Sequence, residues 1–206
     1  MVNLDYVLAP EFPFPAGLRQ SFAVLEWLAE QAATLGIDPQ RIAVGGHSAG
    51  GNLATGVANL AREHQRLRVV HQVIDYAAVD LAADPELKRS TSDKPLLGPG
   101  LMRFFNRCYL SDPAHARDPL ASPLLATVEQ LQGMPPATVI TAEYDILLAE
   151  GQAYAQKLRQ AGVAVTERMF TGCDHMFTHL GPDASAQQAW QLIEDSLREA
   201  FSSRLH

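Results

Sequence analysis

The residues best suited to chemistry lie in one run, Arg41-Ile42-Ala43-Val44-Gly45-Gly46-His47-Ser48-Ala49-Gly50, which continues into Gly51-Asn52-Leu53-Ala54. An apolar strand pattern ends in a serine with glycine two positions before it and two after it, and a helix-forming stretch starts at once. Glycine at 46 and 50 leaves room for strand and helix to approach each other at such a reversal. The turn lifts the Ser48 hydroxyl above the sheet edge, beside a helix N-terminus whose amides attract negative charge. That arrangement, a nucleophile elbow, suits attack by the serine oxygen on an electrophilic carbon. A five-residue G-x-S-x-G match also arises by chance, and the strand before it and the helix after it separate the two readings.

A serine hydroxyl is a poor nucleophile near neutral pH, so it needs a base to take its proton and an acid to orient that base. In open parallel sheets, catalytic groups gather at the carboxyl ends of the strands. His175 lies just past the last strand pattern, in the loop Thr171-Gly172-Cys173-Asp174-His175-Met176-Phe177, where Gly172 frees the backbone. His179 is the alternative base. His64, His71, His115 and His206 fall where packing or surface roles are the default. His47 adjoins Ser48, but neighbouring side chains on such a turn diverge, which gives it a role in shaping the site. For the acid, Asp145 follows the strand Ala137–Ala142, with Glu143 as a substitute; Asp174 is too close along the chain to the base to orient its ring. Alone, Asp145 would read as a helix N-cap. The order Ser48, Asp145, His175 is the nucleophile–acid–base order of one hydrolase architecture.

The elements that must position these groups alternate along the chain. Val2–Tyr6 reads as the tail of a strand, followed by a proline-rich extended stretch. Gly17–Leu35 carries a helical stripe through Leu18, Phe22, Leu25, Leu28, Ala29 and Ala32. Strand Arg41–Gly46, helix Asn52–Glu63 and strand Val69–Tyr76 follow, then strand Ala137–Ala142, helix Leu148–Ala161, strand Val163–Phe170 and helix Ala184–Phe201. Such alternation predicts an α/β fold with a mostly parallel sheet and helices on both faces. Residues 84–120, rich in Pro, Gly, Asp and Ser, read as an insertion or lid-like segment whose Phe104, Phe105 and Tyr109 are candidate pocket walls.

The 206 residues are 47% hydrophobic, enough for one domain spanning 1–206. A net charge of -7 without a long basic run argues against a nucleic-acid partner. Two cysteines, Cys108 and Cys173, make neither a disulfide framework nor metal-ligand spacing. With no secretory signal pattern and no apolar run of about 18 residues, the expectation is a cytoplasmic protein without a membrane span, a metal or a cofactor.

Asp5-Tyr6-Val7-Leu8-Ala9-Pro10-Glu11, the stretch Gly45–Ala54, Ile140-Thr141-Ala142-Glu143-Tyr144-Asp145 and Gly172–Phe177 together resemble the hormone-sensitive-lipase-like carboxylesterases, the α/β-hydrolase fold-3 group. The resemblance runs over nearly the whole chain. It implies cofactor-free hydrolysis of short- to medium-chain carboxylic esters through an acyl-enzyme. Ser48 would attack, His175 would shuttle the proton, Asp145 would hold the imidazole and the Ala49 amide would donate to the oxyanion. Phe104, Phe105, Met176 and Phe177 are candidate substrate-pocket residues.

The chain also departs from that family. Val7 stands where the family has Arg, His47 where it has Asp, and Ala77 where a proline is common; Asp75 is an odd charge in an apolar strand. The His-Gly-Gly-Gly loop that supplies oxyanion donors has no counterpart in these residues. Met1–Tyr6 resembles the end of the family's strand four and Arg41–Gly46 its strand five, so the strand between them would precede Met1. The expectation is an N-terminally truncated hydrolase fold with weak activity. Its unpaired strand edge would invite homo-oligomers. Two other readings of the same residues are a non-catalytic hydrolase-fold protein that binds a small ligand, and a serine peptidase or amidase.

Overall fold

The computed structural model describes residues 1–62, 64 and 66–202. Its regular elements, in chain order, are α1 (Ala16–Glu30), α2 (Ala32–Leu35), β1 (Ile42–His47), α3 (Ala49–Ala61), β2 (Val69–Asp75), α4 (Pro99–Tyr109), α5 (Val128–Leu131), β3 (Ala137–Ala142), α6 (Leu148–Gln160), β4 (Val165–Phe170), α7 (Phe177–Leu180) and α8 (Asp183–Ser202). Three short 3-10 turns lie between β2 and β3. The four strands are parallel in the order β1-β2-β3-β4, with His47 opposite Asp75 and Asp75 opposite Ile140.

Strand alternation shows why helices must cover both faces. Ile74 of β2 and Val139 of β3 enter one apolar cluster with Ala58 of α3 and Tyr154 and Leu158 of α6. Their neighbours Val73 and Ile140 enter another with Ala189 and Ile193 of α8. Successive side chains on a strand point to opposite faces, so a strand apolar at every position needs a layer on each side. All six residues of β3 are buried accordingly. A third cluster joins Leu18 and Leu25 of α1 and Leu53 and Val57 of α3 to Leu97 and Met102 of the 84–120 segment.

Several expectations are corrected. Val2–Tyr6 forms no strand: the Val7 amide donates to the Gln20 side chain of α1 at 2.6 Å, and β1 has a laddered neighbour, β2, on one side only. A strand persists only where its amides find a partner strand, and none lies beside these residues. The helix expected over Gly17–Leu35 breaks at Gln31 into α1 and α2, and Gly36, at φ 66°, closes the second piece. The helix after the elbow begins at Ala49 rather than Asn52; Glu63, its expected end, and His206 lie outside the described residues. Among the described residues no helix is long and apolar enough to cross a membrane.

Candidate active site

Ser48 joins β1 to α3 with φ 51° and ψ -117°, a conformation that costs an L-residue roughly 1–3 kcal/mol and persists only where the surroundings impose it. They do so through the Ser48 amide, which donates to the Asp75 carbonyl at 2.9 Å and carries the β1–β2 ladder one step past the strand. A side chain at 46 would come within 2.5 Å of the Gly50 carbonyl oxygen. The reason for glycine after the serine is different from the one the motif suggests. A Cβ at Gly50 would meet nothing within 4 Å, whereas one at Gly51 would press on Ala77 at 2.7 Å and on the Gly46 carbonyl oxygen at 3.0 Å. Close approach is therefore imposed at 46 and 51.

His175 Nδ1 is 2.7 Å from Asp145 Oδ2, and its Nε2 is 3.0 Å from Ser48 Oγ. Because a carboxylate oxygen only accepts, the ring proton sits on Nδ1 and leaves Nε2 to accept the serine proton. Asp145 is buried, and its other oxygen accepts from the Leu147 amide at 3.0 Å. The base loop is laced to the acid turn by Glu143 N–H to the Phe170 carbonyl (3.0 Å), Tyr144 N–H to the Cys173 carbonyl (2.8 Å) and Gly172 N–H to Glu143 Oε2 (2.7 Å). Glu143, the alternative acid, thus fastens the loop of His175. Asp174 accepts from the amides of His175 and Leu96, both at 2.7 Å, and so ties the loop to the 84–120 segment. Ser90 adds a bond to the Tyr144 carbonyl at 2.5 Å. One end of that segment therefore braces the acid and base turns. It is anchored by the buried ion pair Lys88–Glu150, whose carboxylate also accepts from the Val79 and Asp80 amides.

The structure does not bring the four candidate pocket residues together. Phe104 and Phe105 pack on each other, 5.9 Å between ring centroids, and lie exposed on α4. Met176 is exposed beside His175, in the left-handed region at φ 65°. Phe177 is corrected outright: at 1% exposure it belongs to the core with Phe170 and Tyr76. Ala49, the candidate oxyanion donor, is exposed as the first residue of α3, where a helix leaves its amides without intrahelical partners. Among the described residues no group of three His, Cys, Asp or Glu side chains converges as a metal site would need.

A second imidazole and carboxylate meet where β1 and β2 end. His47 Nδ1 lies 2.6 Å from Oδ2 of Asp75, which is completely buried. Thr178 Oγ1 donates to the same oxygen at 3.2 Å, and Tyr76 Oη lies 2.7 Å from Thr178 Oγ1. Burial pushes the Asp75 carboxyl above the usual range, against the opposing pull of His47, Thr178 and His179. Burial and the Asp75 charge push the Tyr76 phenol up as well, so it stays a neutral hydroxyl. The His47 ring packs against His179 (4.6 Å between centroids) and Trp190 (5.2 Å). Asp75 announced itself as a charge in an apolar strand; nothing in the sequence marked Thr178 or Trp190.

Comparison with known proteins fits this geometry. Residues 1–179 match the Abhydrolase_3 family model, an alpha/beta hydrolase fold. An arylesterase of Saccharolobus solfataricus is 34% identical over 98% of this chain and 64% of its own length. The carboxylesterase NlhH of Mycobacterium tuberculosis is 40% identical over 80% of this chain and 52% of its own. Among solved structures, the carboxylesterase EstE1 from a metagenomic library superposes with a TM-score of 0.89 at 40% identity, covering 97% of this chain and 68% of that one. The chain thus spans about half to two thirds of the length of these curated relatives. With residues 1–179 matched by the family model and relatives 34–40% identical over four fifths or more of the chain, it belongs to the Abhydrolase_3 family of the α/β-hydrolase fold.

Proposed function

We propose that this chain is a serine hydrolase of small carboxylic esters. The observation that carries the reading is the unbroken line Asp145–His175–Ser48, at 2.7 and 3.0 Å. In the first half-reaction Ser48 Oγ bonds to the ester carbonyl carbon while its proton passes to His175 Nε2. Asp145 remains ionised and stabilises the imidazolium. The Ala49 amide, at the positive end of α3, faces the negative oxygen that develops. The tetrahedral adduct collapses, the imidazolium returns the proton to the departing alcohol, and an acyl-serine remains. Water repeats the sequence through the same base and releases the acid. The names of relatives, among them an ethyl acetate hydrolase of Pseudomonas putida, support short acyl and alcohol groups.

Met176, exposed beside the base, is proposed to contact the apolar part of the substrate. The test is hydrolysis of p-nitrophenyl acetate and butyrate by the folded chain and by Ser48→Ala. Release of p-nitrophenol above the Ser48→Ala background supports the reading. Equal rates for the two proteins contradict it.

A further inference from the structure

The charge at Asp75 lacks an assigned purpose, and its position supplies one. Residue 75 touches the elbow twice: its carbonyl accepts from the Ser48 amide, and its carboxylate accepts from His47, the residue before the nucleophile. The same carboxylate oxygen accepts from Thr178, three residues past the base and the second residue of the short helix that closes the His175 loop. Tyr76, strained at φ 35°, lays its ring edge-on to His175 at 5.0 Å between centroids, and its hydroxyl bonds Thr178. The turn carrying the nucleophile and the loop carrying the base therefore share one buried anchor. The other oxygen of Asp75, Oδ1, is buried with no hydrogen-bond partner. A buried polar atom left unpartnered is destabilising, so stability alone does not account for a carboxylate here.

We propose that Asp75 is a positioning residue for the acylation step: by holding His47 with one bond and Thr178 with another, it sets the spacing of Ser48 and His175. His47 and Thr178 act through it. The inference rests on the hydrolase reading above. It differs from that reading in requiring coupling between two residues that touch no substrate. The link works only while both arms hold, so loss of either arm should free the base loop from the elbow, and loss of the second should add little.

The experiment measures the rate at which a fluorophosphonate labels Ser48 in the parent chain, His47→Phe, Thr178→Val, Thr178→Ser and the double variant His47→Phe/Thr178→Val, with thermal melts alongside. His47→Phe keeps a ring between His179 and Trp190, and Thr178→Val puts a methyl in place of the hydroxyl that bonds Asp75 and Tyr76. Each is expected to slow labelling about five- to tenfold, the worth of one hydrogen bond. Thr178→Ser should label at the parental rate, and the double variant should be no slower than the worse single one. With p-nitrophenyl acetate the loss should fall on kcat and leave KM unchanged.

Variants that label at the parental rate, or a double variant slowed by the product of the two single effects, overturn the inference while leaving the hydrolase reading intact. A folded parent that is never labelled overturns both. If His47→Phe does not fold, the contrast between Thr178→Val and Thr178→Ser decides: equal rates for those two overturn the inference, and a selective loss in Thr178→Val supports it.

Discussion

Two carboxylate–imidazole pairs stand at the carboxyl ends of the strands, Asp145 past β3 with His175 past β4, and Asp75 ending β2 with His47 ending β1, with similar separations of 2.7 and 2.6 Å. Both carboxylates are buried. Their surroundings differ. Each oxygen of Asp145 has a nitrogen partner, Leu147 on one and His175 on the other, whereas Asp75 takes both of its bonds on one oxygen. The far nitrogen of His175 meets a hydroxyl held in a strained turn; the His47 ring meets His179 and Trp190. The same two functional groups are thus proposed to serve as a base in one place and a fastener in the other. What decides the role is the group within reach of the second imidazole nitrogen.

Replacing both imidazoles in the same way gives the largest expected contrast. His175→Phe should abolish ester turnover, a loss on the order of 10⁶ if the triad acts as a unit, while His47→Phe should cost about tenfold or less. Steady-state rates on p-nitrophenyl butyrate check this, and comparable losses would erase the distinction. Asp145→Asn should cost about 10⁴ through loss of the correct imidazole tautomer and of the charge that stabilises the imidazolium.

A third buried carboxylate sharpens the comparison from the side of stability. Glu150 is held by Lys88 and two backbone amides, and burial pushes its carboxyl up against the opposing pull of Lys88. Lys88→Met should destabilise the fold by about 3–5 kcal/mol, because it strands a buried charge. Urea denaturation measures that value, and a loss below about 1 kcal/mol would show that the amides alone suffice.

The smallest predicted effect depends on pH. Because the Asp75 carboxyl titrates above its ordinary range, between that range and its raised value the folded chain binds more protons than the unfolded one. Stability from this group therefore falls as pH rises through that window. Asp75→Asn should lose less stability than the parent as pH rises above the ordinary carboxylate range. Parallel stability–pH curves for parent and variant would contradict the assignment.

Much of the site was legible because each of its members sits where a local rule operates. Ser48 is framed by glycines between a strand pattern and a helix pattern, Asp145 follows the short β-rich run Ala137–Ala142, and His175 lies in the glycine-containing loop after the last strand pattern. The four strands after residue 40 emerge within two residues of their expected bounds. Other features depend on contacts that no local pattern records. Val2–Tyr6 has the composition of a strand but no partner to ladder with. The break at Gln31 interrupts an apolar stripe that runs on without a breaking residue. Phe177 looked like a pocket residue because it follows the base, yet α8 and Phe170 enclose it. The partnership of Asp75 with His47 spans 28 residues and that with Thr178 spans 103. Spacing along the chain could show Asp75 as anomalous without showing what it binds.

The most direct test is to treat the folded chain with a fluorophosphonate and map the adduct by peptide mass spectrometry. A single modified residue at Ser48, absent from Ser48→Ala and strongly reduced in His175→Phe, is the predicted result. An adduct that forms equally well without the imidazole at 175, or one that forms on a different serine, would contradict the central claim that the Asp145–His175–Ser48 line activates the nucleophile.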